Sequence, residues 1–269
     1  MQLIIIMSKG GGGSVDYMDF MYRVIEEMAR LKIPVVFKGA LVLNQALKDR
    51  GMPYNFRQTK DIDLNWLAGE GRENDLIEII EGIVYNLGLC DVTVVCDRKA
   101  SKELDRSARI VVKRGGTNLF SLDISLRENP FVVEYKTPNG VIFLGSSLDK
   151  IFADKVRAIS SKAIFRRAKD LYDLYIMSML DGYSIKATLE VYAFEDKSLG
   201  DFDSFISRLD DLKYAYDRLE EIINKPFFND VYARVRDFCL PFITGDYIKC
   251  TRMVDGVWNS QASMWIETY

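Results

Sequence analysis

The segment Val35–Asn65 reads VVFKGALVLNQALKDRGMPYNFRQTKDIDLN. Its pattern predicts a strand, a turn at Gly39, a short helix, and a second strand that carries Asp61 and Asp63. Because side chains alternate faces on a strand, both aspartates point one way and the apolar residues beside them point the other. Two like charges on one face destabilise a sheet unless a cation or a proton neutralises them. Mg²⁺, which binds one or two carboxylates together with substrate phosphates, fits this pattern, so the segment predicts a metal–nucleotide site.

The composition is that of an ordinary globular protein, with 269 residues, 48% of them hydrophobic and 28% charged. A net charge of -3 and a pI near 5.3 argue against nucleic-acid binding through bulk charge, although a local basic patch remains compatible. The chain has no histidine, which excludes Ser-His and Cys-His catalysis and histidine-based zinc sites. Catalysis therefore has to use carboxylates, lysine, arginine and metal ions.

The N-terminus begins with an apolar run, Met1–Met7, that is too short to span a membrane. It also lacks the charged region and the cleavage site of a signal peptide. The glycine run Gly10–Ser14 has the composition of a flexible linker, and no Lys-Ser or Lys-Thr follows it to complete a P-loop. We therefore expect a flexible N-terminus over residues 1–14, a cytoplasmic location and no membrane contact.

Hydrophobic periodicity predicts an α/β (α+β) half followed by a helical half, with the change near residue 146. The expected domains are a core over residues 15–146 and a helical C-terminal domain over residues 147–269. The helices expected in the first half are Asp16–Lys32, Leu41–Lys48 and Asn74–Asn86. The strands expected there are Val35–Phe37, the Asp61–Asp63 strand, Val92–Cys96, Arg109–Lys113, Leu119–Leu126 and Val141–Leu144. The helices expected in the second half are Leu148–Ser160, Arg166–Leu180, Ile185–Val191, Ser204–Asn224 and Asn229–Leu240.

A third aspartate has the same placement as the first pair. In the strand Leu119–Leu126, apolar residues occupy one face, and Asp123 lies on the other with two serines. If this strand neighbours the one that carries Asp61 and Asp63, the three carboxylates share an open face. Solvated strands also carry Asp and Ser, so the pattern alone leaves both interpretations open.

The segment Phe152–Tyr175 is rich in basic residues and aspartates. If it formed one helix, Lys155, Lys162, Arg166 and Asp173 would share a face. A solvated helix with ion pairs would explain this pattern, and so would a cationic wall for a triphosphate in which an aspartate holds a lysine or arginine in place.

Three sequence blocks occur along the chain in a fixed order. They are Lys38-Gly39-Ala40-Leu41-Val42-Leu43, Arg57-x-Thr59-x-Asp61-Ile62-Asp63-Leu64, and Asp154-Lys155 followed by Arg166-x-x-Lys169-Asp170-Leu-Tyr-Asp173-Leu. Together, over roughly residues 30–180, they resemble the AbiEii/AbiGii-type nucleotidyltransferases. Those proteins are the toxin components of bacterial abortive-infection and related toxin–antitoxin systems.

The resemblance implies a DNA-polymerase-β-like nucleotidyltransferase fold, a mixed sheet flanked by helices, followed by a helical C-terminal domain. It also implies an NTP substrate and Mg²⁺ (or Mn²⁺). By resemblance, the metal ligands are Asp61, Asp63 and Asp123, and the catalytic set adds Lys155 and Asp170. The nucleotide-binding positions implied in the same way are Lys38, Gly39, Ala40, Arg57, Thr59, Lys155 and Arg166.

The resulting hypothesis is transfer of an NMP from an NTP to an RNA or other macromolecular acceptor, by a toxin with a possible cognate antitoxin. One departure from the family pattern is Ala40-Leu41, where the family usually has a second Gly or a Ser and then a small hydroxyl residue. That departure favours a rival hypothesis, a nucleotide- or partner-binding module without chemistry. A third hypothesis is a small-molecule nucleotidyltransferase of the antibiotic-modifying kind.

Overall fold

The computed structural model describes residues 17–52, 57–67, 73–98, 107–222, 224–249 and 254–268. The expected flexible N-terminus over residues 1–14 and the glycine run within it lie outside the described residues. None of the helices in the described ranges combines the length and the apolar character needed to cross a bilayer.

The described chain folds into helices α1–α10, two short 3₁₀ turns and strands β1–β9. In chain order they are α1 (Tyr17–Arg30), β1 (Val35–Lys38), α2 (Gly39–Asp49), β2 (Asp61–Trp66), α3 (Glu73–Asn86), β3 (Val92–Arg98), β4 (Ser107–Arg114), β5 (Thr117–Ser125), β6 (Val132–Lys136), β7 (Ile142–Ser146), α4 (Leu148–Ile159), a 3₁₀ turn (Ile164–Arg166), α5 (Ala168–Met177), α6 (Ile185–Glu195), α7 (Asp203–Ser207), α8 (Leu209–Asp217), α9 (Phe228–Phe238), α10 (Leu240–Thr244), a second 3₁₀ turn (Asp246–Lys249), β8 (Asp255–Asn259) and β9 (Met264–Thr268).

The chain divides into two compact units. Unit 1 comprises Met1–Gln45 and Gln58–Ser146, and unit 2 comprises Ala46–Arg57 and Ser147–Tyr269. The division of the chain into domains at residue 146 stays a prediction, and the segment Ala46–Arg57, expected in the first domain, belongs to unit 2.

Unit 1 is built on a seven-stranded mixed sheet with the order β3-β4-β5-β2-β1-β7-β6. The β1–β7 and β2–β5 pairs are parallel, and the other neighbouring strands are antiparallel. The predicted fold class, a mixed sheet flanked by helices, is confirmed. The β2–β5 pairing meets the condition under which Asp123 shares a face with Asp61 and Asp63.

One face of the sheet is packed against apolar residues. Ile62, Leu64 and Leu122 have no exposed surface, because they alternate with the polar residues of β2 and β5. The amphipathic helix α1 supplies part of the apolar cover, and its Phe20 ring meets the Phe120 ring edge-on, with centroids 5.5 Å apart. Burial of this face directs the polar side chains of the same strands to the other side of the sheet.

The hairpin of β4 and β5 turns through two glycines and contains a register shift. The residue pairs next to the turn are Arg114 with Thr117 and Lys113 with Asn118, whereas Val112 pairs with Phe120. Leu119 is therefore an extra residue on β5, a β-bulge, and every pair beyond it moves by one position.

Unit 2 contains most of the helices and a two-stranded hairpin, β8–β9, which was not predicted. Its aromatic core brings Phe152 of α4 to 4.7 Å from Phe238 of α9, and Phe238 to 4.8 Å from Trp258 of β8, between ring centroids. The second half was expected to be mainly helical, and this hairpin adds two strands to it. Strand β6, in unit 1, was also missed.

The segment Phe152–Tyr175 does not form the single helix considered above. The α4 helix ends at Ile159, where the Ser160 hydroxyl donates to the carbonyl of Arg157 and accepts from the backbone N–H of Gly200. Serine side chains that bond the backbone in this way compete with helix propagation. Lys162 and Arg166 therefore do not share a helical face with Lys155.

The prediction of one helix over Ser204–Asn224 is also wrong. The segment forms two helices, α7 and α8, and the second of them ends at Asp217. The backbone at Arg208 leaves the helical region (φ -109°, ψ 48°) and separates α7 from α8. Beyond α8, the Lys225 ammonium donates to the carbonyls of Tyr216, Asp217 and Leu219 at 2.8–3.1 Å. These bonds satisfy carbonyl groups at the C-terminal end of the helix, where partners within a helix are lacking.

Candidate active site

A row of four charged side chains crosses four adjacent strands of the unit 1 sheet. Lys38 of β1 lies opposite Asp63 of β2, Asp63 lies opposite Asp123 of β5, and Asp123 lies opposite Arg109 of β4. Side chains of directly paired residues lie on the same face, so the two aspartates are flanked by a cation on each side. We call these four residues the charged row.

Asp61 lies one pleat further along the same face of β2, beside Ser121 of β5. The Ser121 hydroxyl donates to Asp61 Oδ1 at 2.5 Å. The backbone N–H of Asp61 donates to the hydroxyl of Thr59 at 3.2 Å, which fixes the start of the strand. Thr59 itself is buried, so in the structure it positions Asp61.

Arg109 connects Asp61 to the charged row. Its Nη2 lies 3.3 Å from Asp61 Oδ1 and donates to Ser121 Oγ at 2.8 Å, while its Nη1 lies 3.4 Å from Asp123 Oδ2. The three side chains are partly exposed, at 36% for Arg109, 43% for Asp61 and 27% for Asp123. Asp61, Asp63 and Asp123 thus lie on one face of the sheet, and the guanidinium of Arg109 lies between Asp61 and Asp123.

Gly39, at the start of α2, is in close contact with Asp63. It has a left-handed backbone (φ +71°), and a Cβ added there would lie 2.0 Å from Asp63 Oδ2. Only glycine combines that conformation with that contact. The carboxylate of Asp63 is therefore held against the backbone turn at the beginning of the helix.

The donor set of this face fits a hard cation. Carboxylate oxygens are the ligands that Mg²⁺ takes in proteins, and the Arg109 guanidinium shows that Asp61 and Asp123 already bracket a positive charge. In the part of the chain that the structure describes, no group of three or more acidic, cysteine or histidine residues is gathered closely enough to hold a metal ion. The three-carboxylate metal site therefore stays a prediction.

Unit 2 contains a second charged group, built on α4 and α5. The Lys155 ammonium lies 2.7 Å from Asp170 Oδ1 and 2.8 Å from Asp173 Oδ2. Asp170 and Asp173 are three residues apart on α5, so they share a helical face. Arg57 holds Asp173 from the other side through two hydrogen bonds, Nε to Oδ1 at 2.7 Å and Nη2 to Oδ2 at 3.0 Å. We call these four residues the buried ion network.

The network fixes the charge states of its central members. Burial raises the pKa of Asp173, but the nearby charges of Arg57 and Lys155 outweigh it and leave that pKa well below its ordinary value. Burial lowers the pKa of Lys155, but Asp170 and Asp173 outweigh it and leave the pKa above its ordinary value. Lys155 thus remains a protonated ammonium at neutral pH. In this state it can stabilise a negative charge, and it cannot act as a general base.

Of the other residues predicted to bind nucleotide, Arg57 and Ala40 are buried and Arg166 is exposed. Arg57 is almost fully buried against Asp173, so its observed role is to hold that carboxylate. Ala40 is buried in the first turn of α2. Arg166 is exposed on the 3₁₀ turn, with its guanidinium 5.3 Å from the ring centroid of Phe165. A contact between any of them and a nucleotide stays a prediction, as does a shared site for Lys155 and the carboxylates.

Sequence reasoning missed Arg109 and Ser121. Ser121 was recognisable, because it shares the face of Asp123 by strict alternation. Arg109 was harder to place, because counting back from the hairpin turn without the bulge pairs it with Leu122, although alternation with Ala108 and Ile110 puts it on the polar face of β4. The bulge at Leu119 alone brings it opposite Asp123.

The profile of the AbiEii family, described as the nucleotidyl transferase AbiEii toxin of a type IV toxin–antitoxin system, matches residues 20–242. The chain belongs to the AbiEii nucleotidyltransferase toxin family. It is accordingly a nucleotidyltransferase, and the resemblance drawn from its three sequence blocks is confirmed.

Solved structures share the fold of this AbiEii-family chain. MenT4, a nucleotidyltransferase toxin of Mycobacterium tuberculosis, matches with a TM-score of 0.52 at 14% identity, over 87% of this chain and 85% of that one. A protein of H. pylori assigned to the nucleotidyltransferases matches with a TM-score of 0.53 at 13% identity, over 89% of this chain and 98% of that one. At these identities the likeness concerns the fold. A search among curated proteins found no match.

Proposed function

We propose that this nucleotidyltransferase moves an NMP from an NTP to a hydroxyl group of RNA, with Mg²⁺ or Mn²⁺ as cofactor. The observation that carries the proposal is the side-by-side placement of Asp63 and Asp123, with Asp61 next to them, against the Gly39 turn. Acidic groups beside the N-terminal turn of a helix suit a metal ion and the phosphates that accompany it.

In this proposal Asp61, Asp63 and Asp123 hold the metal. When bound, the ion neutralises charge that develops on the phosphate oxygens. The acceptor hydroxyl oxygen forms a new bond to the α-phosphorus, the bond from that phosphorus to the bridging oxygen breaks, and pyrophosphate leaves. The proton of the hydroxyl passes to a carboxylate, for which Asp123 is our candidate.

The start of α2 is the proposed phosphate loop. The first backbone N–H groups of a helix lack partners within the helix and attract anions. Here α2 has 11 residues and begins at Gly39. Ala40 and Leu41 supply N–H groups as well as any other residues, so the loss of the family's hydroxyl removes one contact without removing the loop. Lys38 precedes this turn and adds positive charge.

Lys155 is the proposed contact to the triphosphate. Asp170 and Asp173 accept from two of its three N–H groups, and a phosphate oxygen is a suitable acceptor for the third. Because the two carboxylates fix the ammonium, little side-chain entropy would be lost on binding. Arg57 and Asp170 are then positioning residues, and the exposed Arg166 is an additional candidate for contact with phosphate.

The acceptor and the partner are proposed from family membership. An RNA acceptor, such as a tRNA end, suits a toxin that acts on a cellular macromolecule, and a cognate antitoxin suits a member of a toxin–antitoxin family. A cytoplasmic location fits both.

The test is incubation of the protein with each α-labelled NTP in turn and total cellular RNA, with Mg²⁺ or with EDTA. We expect label on RNA with at least one NTP and none with EDTA. Label on a small molecule such as an aminoglycoside instead of RNA would contradict the acceptor proposal. Equal labelling in EDTA would contradict the metal requirement.

A further inference from the structure

We propose that Arg109 is a resident counter-ion of the carboxylates, which a metal ion has to displace, so that its charge sets the metal affinity of the site. This inference rests on the metal role proposed above for Asp61, Asp63 and Asp123. It assigns a function to a residue that lies outside the three family blocks.

The contacts of Arg109 place its charge where a metal would bind. One end of the guanidinium lies 3.3 Å from Asp61 Oδ1 and the other lies 3.4 Å from Asp123 Oδ2. Ser121 Oγ accepts from the same Nη2 at 2.8 Å and holds the group in position. A cation that uses both carboxylates therefore has to compete with the guanidinium for the same oxygens.

Arg109 can release the carboxylates to a metal ion only by moving its side chain. Its guanidinium keeps its proton throughout the working pH range, so deprotonation cannot release the carboxylates. The side chain is 36% exposed, and exposed ion pairs of this kind hold a side chain only weakly. Displacement into solvent is thus feasible at modest cost, and neutralisation is not.

The consequence is weak binding of free metal ions. Even when its contacts are broken, the guanidinium stays on β4 beside the carboxylates, and a unit positive charge several ångströms from a divalent ion lowers its affinity on the order of tenfold in a water-like dielectric. An NTP brings its own negative charge with the metal and offsets this repulsion. Arg109 would in this way favour loading of metal together with nucleotide over loading of metal alone.

The experiment measures Mn²⁺ binding directly, by electron paramagnetic resonance of the free ion, without nucleotide. The proteins are the full-length wild type, Arg109→Gln, Arg109→Met and Arg109→Lys. Arg114→Gln is the matched control, because it removes the same charge from the same strand, where Arg114 pairs with Asp91. Arg114 lies five residues away, about 16 Å along the strand and beyond the usual screening length.

We expect both neutral variants to bind Mn²⁺ about tenfold more tightly than the wild type. Arg109→Lys and Arg114→Gln should stay within about twofold of it. A merely structural role would give the opposite sign, because loss of Arg109 would leave the carboxylates less ordered. Unchanged or weaker binding in the neutral variants overturns the inference, as does an equal gain in Arg114→Gln.

The two neutral variants guard against a folding defect in either one, which thermal unfolding would detect. Failure of this inference is separable from failure of the proposed function. If the wild type labels RNA only with metal present, yet the neutral variants bind Mn²⁺ no more tightly than the wild type, the proposed function is supported and the proposed role of Arg109 is wrong.

Discussion

At Gly39 the lack of a side chain lets a carboxylate lie against the backbone. The ideal Cβ position falls 2.0 Å from Asp63 Oδ2, well inside any van der Waals contact. This contact joins the glycine of the first family block to an aspartate of the second. The role of the glycine is therefore to make room for the carboxylate as well as to permit a left-handed turn.

We predict that Gly39→Ala lowers the rate of NMP transfer by at least about a hundredfold, because the methyl group displaces Asp63. Gly88→Ala is the matched control, since Gly88 also has a left-handed backbone (φ +85°) but no atom within 4 Å of the added Cβ. Both variants should lose about 1–2 kcal/mol of stability from backbone strain. Equal activity in the two variants, measured as initial rates, would contradict the proposed contact.

Asp173 is the residue on which the buried ion network depends. It is 4% exposed, and both Arg57 and Lys155 direct their charges at it. Removal of one member of a buried ion group leaves the others without compensation, which costs more than the ion pair itself contributes.

We predict that Asp173→Asn lowers the free energy of unfolding by about 3–5 kcal/mol at pH 7. The deficit should shrink as the pH falls below about 4, the ordinary pKa of an aspartate. The reason is that the native pKa of Asp173 is lowered, so its stabilisation is present above the unfolded pKa and is lost as the pH falls through the native one. Urea unfolding at several pH values measures both effects.

The exposed pair of Asp211 and Arg208 provides the control. Asp211→Asn should cost less than about 1 kcal/mol, since exposed ion pairs contribute little. A deficit of similar size in the two variants, or one that grows toward acid pH in Asp173→Asn, would count against the network.

Among the elements, the hairpin β8–β9 is part of the core of unit 2. Trp258 of β8 is 1% exposed, and its Nε1 donates to the carbonyl of Ser178 at 2.8 Å. Its ring lies 4.8 Å from that of Phe238 and 5.7 Å from that of Trp265, between centroids. The hairpin therefore stabilises the helices it covers.

We predict that Trp258→Ala lowers the free energy of unfolding by about 3–5 kcal/mol, through lost burial and a cavity among aromatic rings. Met264→Ala, on the exposed side of β9, should change it by less than about 0.5 kcal/mol. Urea unfolding of both variants measures the difference. A small effect of Trp258→Ala would show that the hairpin packs too loosely to contribute.

The elements also show what the sequence can and cannot predict. Strict alternation sufficed to predict the faces of β2 and β5, whereas the parallel pairing that puts Asp123 beside Asp63 was only a condition of the prediction. The bulge at Leu119 was not predicted, because Leu119 and Phe120 are both apolar and either of them could have faced the core. At the breaks, Ser160 accepts from the backbone N–H of Gly200 and Arg208 donates to the carbonyl of Lys162, contacts with residues distant in sequence that a local pattern does not reveal.

At the scale of the whole molecule, the match to the AbiEii family extends over residues 20–242 and so includes parts of both units. Each unit carries one of the two charged groups, the charged row in unit 1 and the buried ion network in unit 2. We propose that the aspartates of the charged row carry out the transfer and that the buried ion network supports them.

The most direct test of that claim is the initial rate of NMP transfer by Asp63→Asn, compared with the wild type and with Asp91→Asn. Asp91 is an exposed carboxylate of the same unit, paired with Arg114 outside the charged row. We predict a loss of at least about a hundredfold in Asp63→Asn, with unchanged thermal unfolding, and no more than a twofold change in Asp91→Asn. Wild-type rates from a folded Asp63→Asn protein would contradict the claim.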